Sequence, residues 1–207
     1  MFLALGQTLT WAGVYYIFPA LFLHWEHGFA WSKAQITGAI SLAILMSAAF
    51  SPLAGHIIDK GNAAVMIFSA TLVAGLCLLA LSLVSELGWF YLVWVLIGVC
   101  MAGCLYDPCF AIITRCRGEK AKHGIIVVTL VAGFAGTISF PTAHSIAEYS
   151  SWNNAVRFFA AVIIFIAAPL TLSGVRLLER PDDHQYDKRI SKPPAYNYHF
   201  LQRPVFW

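Results

Sequence analysis

Residues 34–58 read AQITGAISLAILMSAAFSPLAGHII, and residues 61–85 read GNAAVMIFSATLVAGLCLLALSLVS. Neither run contains an Asp, Glu, Lys or Arg, and only the pair Asp59-Lys60 separates them. The hydrocarbon core of a bilayer is about 30 Å thick, so a helix needs about 20 apolar residues to cross it. The two runs therefore predict a pair of membrane-spanning helices joined by a short charged turn.

The rest of the chain repeats this alternation between uncharged runs and charged turns. Of its 207 residues 59% are hydrophobic and 11% are charged, whereas a soluble domain has about 25% charged residues. Strands of a membrane barrel alternate over about 10 residues, but these runs are apolar throughout. We therefore predict an all-α membrane protein with six transmembrane helices, at about residues 1–25, 34–58, 61–85, 87–113, 123–147 and 156–176.

Four prolines suggest an internal repeat. Pro19 and Pro108 are separated by the same number of residues as Pro52 and Pro141. A repeat unit of three spans has to insert with alternating orientation, which is the inverted repeat found inside transporter bundles. We expect the six helices to form such an inverted 3+3 repeat.

The basic residues predict how the helices are oriented. Loops on the cytoplasmic side of a membrane protein are enriched in Lys and Arg. Most of the basic residues follow the second, fourth and sixth predicted spans, while the opposite loops contain only Lys33 and Arg157. We therefore expect a multi-pass protein of the plasma membrane, in a bacterium the inner membrane, with both termini in the cytoplasm.

Several other classes of function are excluded or unsupported. The net charge of +3 is too small to suggest nucleic-acid binding. The chain has no Gly-x-Ser and no His-Glu-x-x-His, the patterns that intramembrane serine and metal proteases would need, so we predict no enzymatic activity. The five cysteines follow no metal-binding spacing, and His24 and His27 lack a third ligand nearby. We expect neither a cofactor nor a bound metal.

The turn after the second span carries the most specific motif, Gly55-His-Ile-Ile-Asp59-Lys60-Gly61. It resembles the signature of the major facilitator superfamily (MFS) between spans two and three, Gly-x-x-x-Asp-(Arg/Lys)-x-Gly, with the second glycine one place early. The resemblance implies that Gly55, Asp59, Lys60 and Gly61 form a gating motif that holds the cytoplasmic side closed. Glycine here would also let two helices approach closely. A plain cytoplasmic turn is the alternative.

The predicted fourth span contains an acid, Asp107, eight residues before Arg115. The surrounding segment is similar to a fourth-span pattern of bacterial members of the superfamily, in which small residues precede Tyr-(Asp/Glu)-x-x-Phe and an Arg. A charge inside the membrane costs about 2.5–3.5 kcal/mol on insertion scales, so such an acid has a partner or a purpose. Asp107 either joins a gating charge network with Arg115, Lys60 or a residue from another half of the transporter, carries a proton or binds a cationic substrate group, or forms a structural pair.

Other polar residues inside the spans are candidates for a transport path. Gln7, Trp11 and Tyr15 repeat every four residues on one side of the first span. With Tyr106 they are our candidates for a substrate cavity, because the family uses spans one and four for it; packing is the alternative for Gln7 and Tyr15. His144, near the outer end of the fifth predicted span, is either a proton or substrate site or a packing group.

The resemblance implies the amino-terminal six-helix half of a twelve-helix carrier that moves a small solute by alternating access, with a coupled proton or counter-solute. Residues 177–203 are then a cytoplasmic linker, and residues 204–207 begin a truncated seventh span. We expect a fragment, or a half that pairs with a carboxy-terminal six-helix half or with a second copy in the lipid bilayer. The alternative is a homo-oligomeric membrane channel or a non-transporting membrane scaffold.

Overall fold

The computed structural model describes residues 1–179, which are helical almost throughout. The predicted linker beyond residue 179 and the predicted start of a seventh span at residues 204–207 lie outside this part of the chain. The α-helices are α1 (Phe2–Thr10), α2 (Ile17–Phe29), α3 (Lys33–Asp59), α4 (Ala63–Leu81), α5 (Leu87–Cys104), α6 (Tyr106–Arg117), α7 (Ala121–Ala132), α8 (Ala135–Tyr149), α9 (Trp152–Val162) and α10 (Ala168–Leu178). Wide π-helical turns join α1 to α2 at Trp11–Tyr15 and α9 to α10 at Ile163–Ala167.

Four helical stretches in the described part are long and apolar enough to cross a membrane: Lys33–Asp59, Ala63–Leu81, Leu87–Tyr149 and Trp152–Leu178. The third contains 63 residues, which is about 95 Å of helix and about three times the thickness of a bilayer core. It is therefore a series of helices rather than one span. The prediction of an all-α, multi-pass membrane protein is confirmed, whereas these four stretches do not confirm the count of six.

The first apolar run, which is not among those four stretches, contains a π-turn that breaks the regular α-helix. The N–H of Tyr16 bonds the carbonyl of Trp11 at 3.0 Å, five residues back rather than four. Tyr16 itself keeps right-handed helical angles, with φ −73° and ψ −19°. Pro19, which has no N–H, follows in the first turn of α2. The span at about residues 1–25 stays a prediction, with an irregular turn inside it.

Glycines at the helix crossings set the closest packing. A Cβ atom on Gly174 of α10 would lie 2.6 Å from the backbone nitrogen of Leu3, and one on Gly6 of α1 would lie 2.7 Å from the Thr171 side chain. Gly98 brings α5 against the backbone of α3 at Ala43 in the same way. Small residues allow such contacts between membrane helices, where packing rather than the hydrophobic effect drives association.

One end of the bundle is closed by a buried aromatic core. Trp25, Phe90 and Trp94 are almost completely buried. The ring of Phe18 lies edge-on to Trp94 with the centroids 4.8 Å apart, and Trp25 meets Phe90 in the same manner at 5.1 Å. Edge-to-face pairs of this kind add to the energy of burial. The aromatic rings therefore fill the interior between α2 and α5 at this end of the bundle.

Candidate functional site

The centre of the bundle contains a second break, between α5 and α6. Leu105 has an extended backbone, with φ −89° and ψ −153°. In a continuous helix the residue at position 108 would donate its N–H to the carbonyl of Cys104, but Pro108 has none. The amide of Gln7 supplies the missing donor, because its Nε2 bonds the Cys104 carbonyl oxygen at 2.9 Å.

Gln7 is fully buried by this contact. It therefore holds α1 against the broken point and does not line an open surface. Its Oε1 has no hydrogen-bond partner within residues 1–179. A buried oxygen that accepts no hydrogen bond is costly in a low-dielectric interior. Among the described residues, Gln7 Oε1 is therefore an unused acceptor at the break.

An aromatic face lies beside the break, formed by Trp11, Tyr15, Tyr106 and Phe110. The ring centroids of Trp11 and Tyr106 are 4.4 Å apart, and those of Trp11 and Tyr15 are 5.2 Å apart. Tyr106 stacks on Phe110 at 5.0 Å. All four side chains are partly exposed. The structure thus places three of the four cavity candidates in one surface, with Gln7 behind it; their binding of a solute stays a prediction.

Asp107 lies next to the aromatic face and is exposed. It is the second residue of α6, where the unpaired N–H groups and the helix dipole favour a negative charge. Within the described residues it forms no ion pair. A direct ion pair of Asp107 with Arg115 is absent within the described residues, because eight residues along a helix separate the two by about 12 Å. The wider gating charge network stays a prediction.

Arg115 instead contacts the end of α3. Its guanidinium donates a hydrogen bond to the carbonyl oxygen of Ile58. The last carbonyls of a helix lack intrahelical donors, and a cation at that end also complements the helix dipole. Arg115 thus links α6 to the turn that carries the predicted gating motif.

That turn closes α3 with a left-handed residue. Gly61 has φ +85°, a conformation that side chains disfavour, and its N–H bonds the carbonyl of Ile58 at 2.9 Å. Asp59 and Lys60 are exposed. A Cβ atom on Gly55 would meet nothing within 4 Å. The expectation of a close helix approach at Gly55 is therefore wrong for the described part of the chain.

His144 belongs to a polar cluster at the opposite end of the bundle. Its Nε2 lies 3.1 Å from a carboxylate oxygen of Glu148, one turn further along α8. Its ring centroid is 5.8 Å from that of His24 on α2. The two histidines line an open cavity of about 870 Å³ between α2 and α8. Within residues 1–179 no group of three potential ligands is arranged to hold a metal ion.

Sequence reasoning missed the contacts that cross between helices. Ser139 on α8 donates to the carbonyl of Ala12 in the π-turn at 2.7 Å, although nothing in its local sequence marks it. The sequence does contain a sign of the Gln7 contact, because Pro108 lacks an N–H and so predicts an unsatisfied carbonyl at Cys104. The sequence does not tell which helix supplies the donor.

A family model described as the Major Facilitator Superfamily matches residues 3–207. No curated protein and no solved structure matches the chain.

Proposed function

The chain belongs to the Major Facilitator Superfamily, and from this membership we propose that it works as a secondary carrier that moves a small solute by alternating access. It is an integral, multi-pass membrane protein of a superfamily of transporters. The observation that carries the proposal is the aromatic face of Trp11, Tyr15 and Tyr106 beside the exposed carboxylate of Asp107. Aromatic rings with one charged group are a typical lining for a small-molecule site.

The proposed architecture is a bundle of six spans over residues 1–176, arranged as an inverted 3+3 repeat. Its support is the placement of the four prolines. Pro19 and Pro108 are each the third residue of a helix that follows a break, whereas Pro52 and Pro141 lie inside the continuous helices α3 and α8. Equivalent prolines therefore have equivalent positions along the helices of the two proposed units.

The aromatic face is proposed to meet a second six-helix unit, either a carboxy-terminal half or a second copy of this chain. An unpaired carboxylate in contact with lipid is expensive, which favours a protein partner or a water-filled cavity opposite Asp107. In that cavity Asp107 binds a proton or a cationic group of the solute, or pairs with a base of the second unit. The cluster of His144, Glu148 and His24 is a further candidate for a coupled proton.

The turn of Gly55, Asp59, Lys60 and Gly61 is proposed to be the gate on the cytoplasmic side, with both termini in the cytoplasm of a bacterial inner membrane. The bond from Arg115 to Ile58 supports a mechanical connection between this turn and α6, which carries Asp107 at its other end. The open space at Gly55 leaves room for an element of the second unit.

Uptake of a panel of labelled small solutes into membrane vesicles tests the proposal, with the chain expressed alone and with a candidate second half. We expect saturable uptake of at least one solute, and its loss in Asp107→Asn. Glu86→Gln is the matched control, because Glu86 is an exposed acid at the start of α5. Uptake that rises linearly with concentration and is unchanged in Asp107→Asn would favour a channel, and no uptake in any arm would favour a scaffold.

A further inference from the structure

A second cavity, of about 830 Å³, opens at the end of the bundle that contains the basic residues. It lies between the start of α1, the connection from α6 to α7, and the end of α10. None of its lining residues belongs to the aromatic face or to the predicted gating motif. It is therefore a site distinct from the proposed transport path.

The walls of this cavity are apolar and partly open to the surroundings. Leu3 is buried at its base, while Phe2, Ile126 and Leu177 line the sides and remain 49%, 45% and 44% exposed. In a membrane protein such side chains face hydrocarbon at no cost. Gly124 and Gly174 also line the cavity, where they let α7 pack on Ile113 and α10 pack on Leu3.

The rim of the cavity is basic. Lys120 and Lys122 are exposed, and within residues 1–179 neither forms an ion pair with a carboxylate. Arg117 and His123 also line the cavity, and Glu119 is the one acid among its lining residues in the part of the chain that the structure describes. The positively charged start of α7, at Ala121, adds to the positive potential at the rim.

We propose that this cavity binds an anionic phospholipid, with an acyl chain in the apolar groove and the phosphate at Lys120 and Lys122. The basic rim directly adjoins the apolar walls, which complements an anionic headgroup attached to an acyl chain. Basic pockets between transmembrane helices bind anionic headgroups, and each Lys or Arg near an anionic surface contributes to that attraction. A soluble anion would contact only the basic rim, whereas a phospholipid contacts the rim with its phosphate and the apolar groove with an acyl chain.

The test measures lipid binding to the purified 207-residue chain in neutral detergent by native mass spectrometry. Phosphatidylglycerol and phosphatidylcholine with the same acyl chains are the two probes. We expect retention of phosphatidylglycerol over phosphatidylcholine, and an affinity for phosphatidylglycerol that falls about five-fold in Lys120→Gln, about five-fold in Lys122→Gln and about 25-fold in the double variant.

Lys33→Gln is the matched control, because it removes one exposed charge at the other end of the bundle and should leave binding unchanged. Val127→Trp, which fills the groove and keeps the rim, should weaken phosphatidylglycerol as well. Equal retention of the two lipids, or an unchanged affinity in the double lysine variant, would overturn the proposal. So would displacement of the lipid by an equal concentration of inorganic phosphate, or a chain dimer that forms through the same residues in place of the lipid.

Discussion

The two helix breaks of this protein have a proline at the same spacing but differ in backbone and in the side chain beside them. Tyr16 follows a π-turn and keeps right-handed helical angles (φ −73°, ψ −19°), whereas Leu105 is extended (φ −89°, ψ −153°); Pro19 and Pro108 each follow three residues later. Position 18 is Phe, 4% exposed and packed on Trp94. Its counterpart Asp107 is exposed. The equivalent position therefore belongs to a packed core in one helix and presents a charge in the other.

Each break is also held by a polar side chain from another helix. The hydroxyl of Ser139 bonds the carbonyl of Ala12 in the first, and the amide of Gln7 bonds the carbonyl of Cys104 in the second. Irregular backbone inside a membrane persists only where its polar groups find partners within the protein. Contacts from neighbouring helices therefore stabilise both breaks, in addition to the local sequence.

The largest expected effect is a difference in stability between substitutions at the two equivalent positions, 18 and 107. Phe18→Ala should lower the free energy of unfolding by about 3–5 kcal/mol, because it leaves a cavity in the buried aromatic core. Asp107→Ala should change it by less than about 0.5 kcal/mol, because the side chain is exposed and unpaired within the described residues. Denaturant unfolding in mixed micelles measures both. Similar losses for the two variants would show that the contrast between the breaks is not real.

A smaller effect is expected from the donor at the second break. Gln7→Leu leaves the Cys104 carbonyl without a partner, which should cost about 1–3 kcal/mol in the same unfolding measurement. Pro108→Ala restores a backbone N–H at the position that could serve this carbonyl. Gln7→Leu should therefore cost less when Pro108→Ala is also present.

This double-mutant cycle distinguishes the specific bond from simple packing of Gln7. Thr10→Val is the control, since Thr10 is buried but its hydroxyl bonds the carbonyl of Gly6 in its own helix. A cost of Gln7→Leu that is independent of residue 108 would contradict the assigned role.

The smallest effect concerns the first break. Ser139→Ala should cost about 0.5–1.5 kcal/mol, the typical net contribution of one hydrogen bond, because Ala12 lies in a π-turn whose neighbours retain their backbone bonds. Ser41→Ala, at an exposed position of α3, provides the comparison. If Ser139→Ala proves as costly as Gln7→Leu, the two breaks depend equally on their cross-helix donors, despite their different backbones.

The sequence predicted some residues of the candidate site but not the contacts between helices that bring them together. The four-residue spacing of Trp11 and Tyr15 placed them on one helix face, and the structure adds Tyr106 from α6 at 4.4 Å from Trp11. Arg115 was one possible partner of Asp107, and within the described residues its guanidinium binds the carbonyl of Ile58. Backbone carbonyls have no signature in a sequence, so a bond of this kind cannot be read from it.

Composition and spacing alone determined that this chain is an all-α membrane protein, because uncharged runs of about 20 residues can be buried in lipid only as helices. The turn at Asp59-Lys60-Gly61 and its resemblance to the superfamily signature were likewise visible in the residues themselves. Only the tertiary structure decided where the helices break, which side chains hold the breaks, and that Asp107 is exposed while Gln7 is buried. The reason is physical: a lost backbone hydrogen bond at a proline is local, but the donor that replaces it comes from whichever helix packs there.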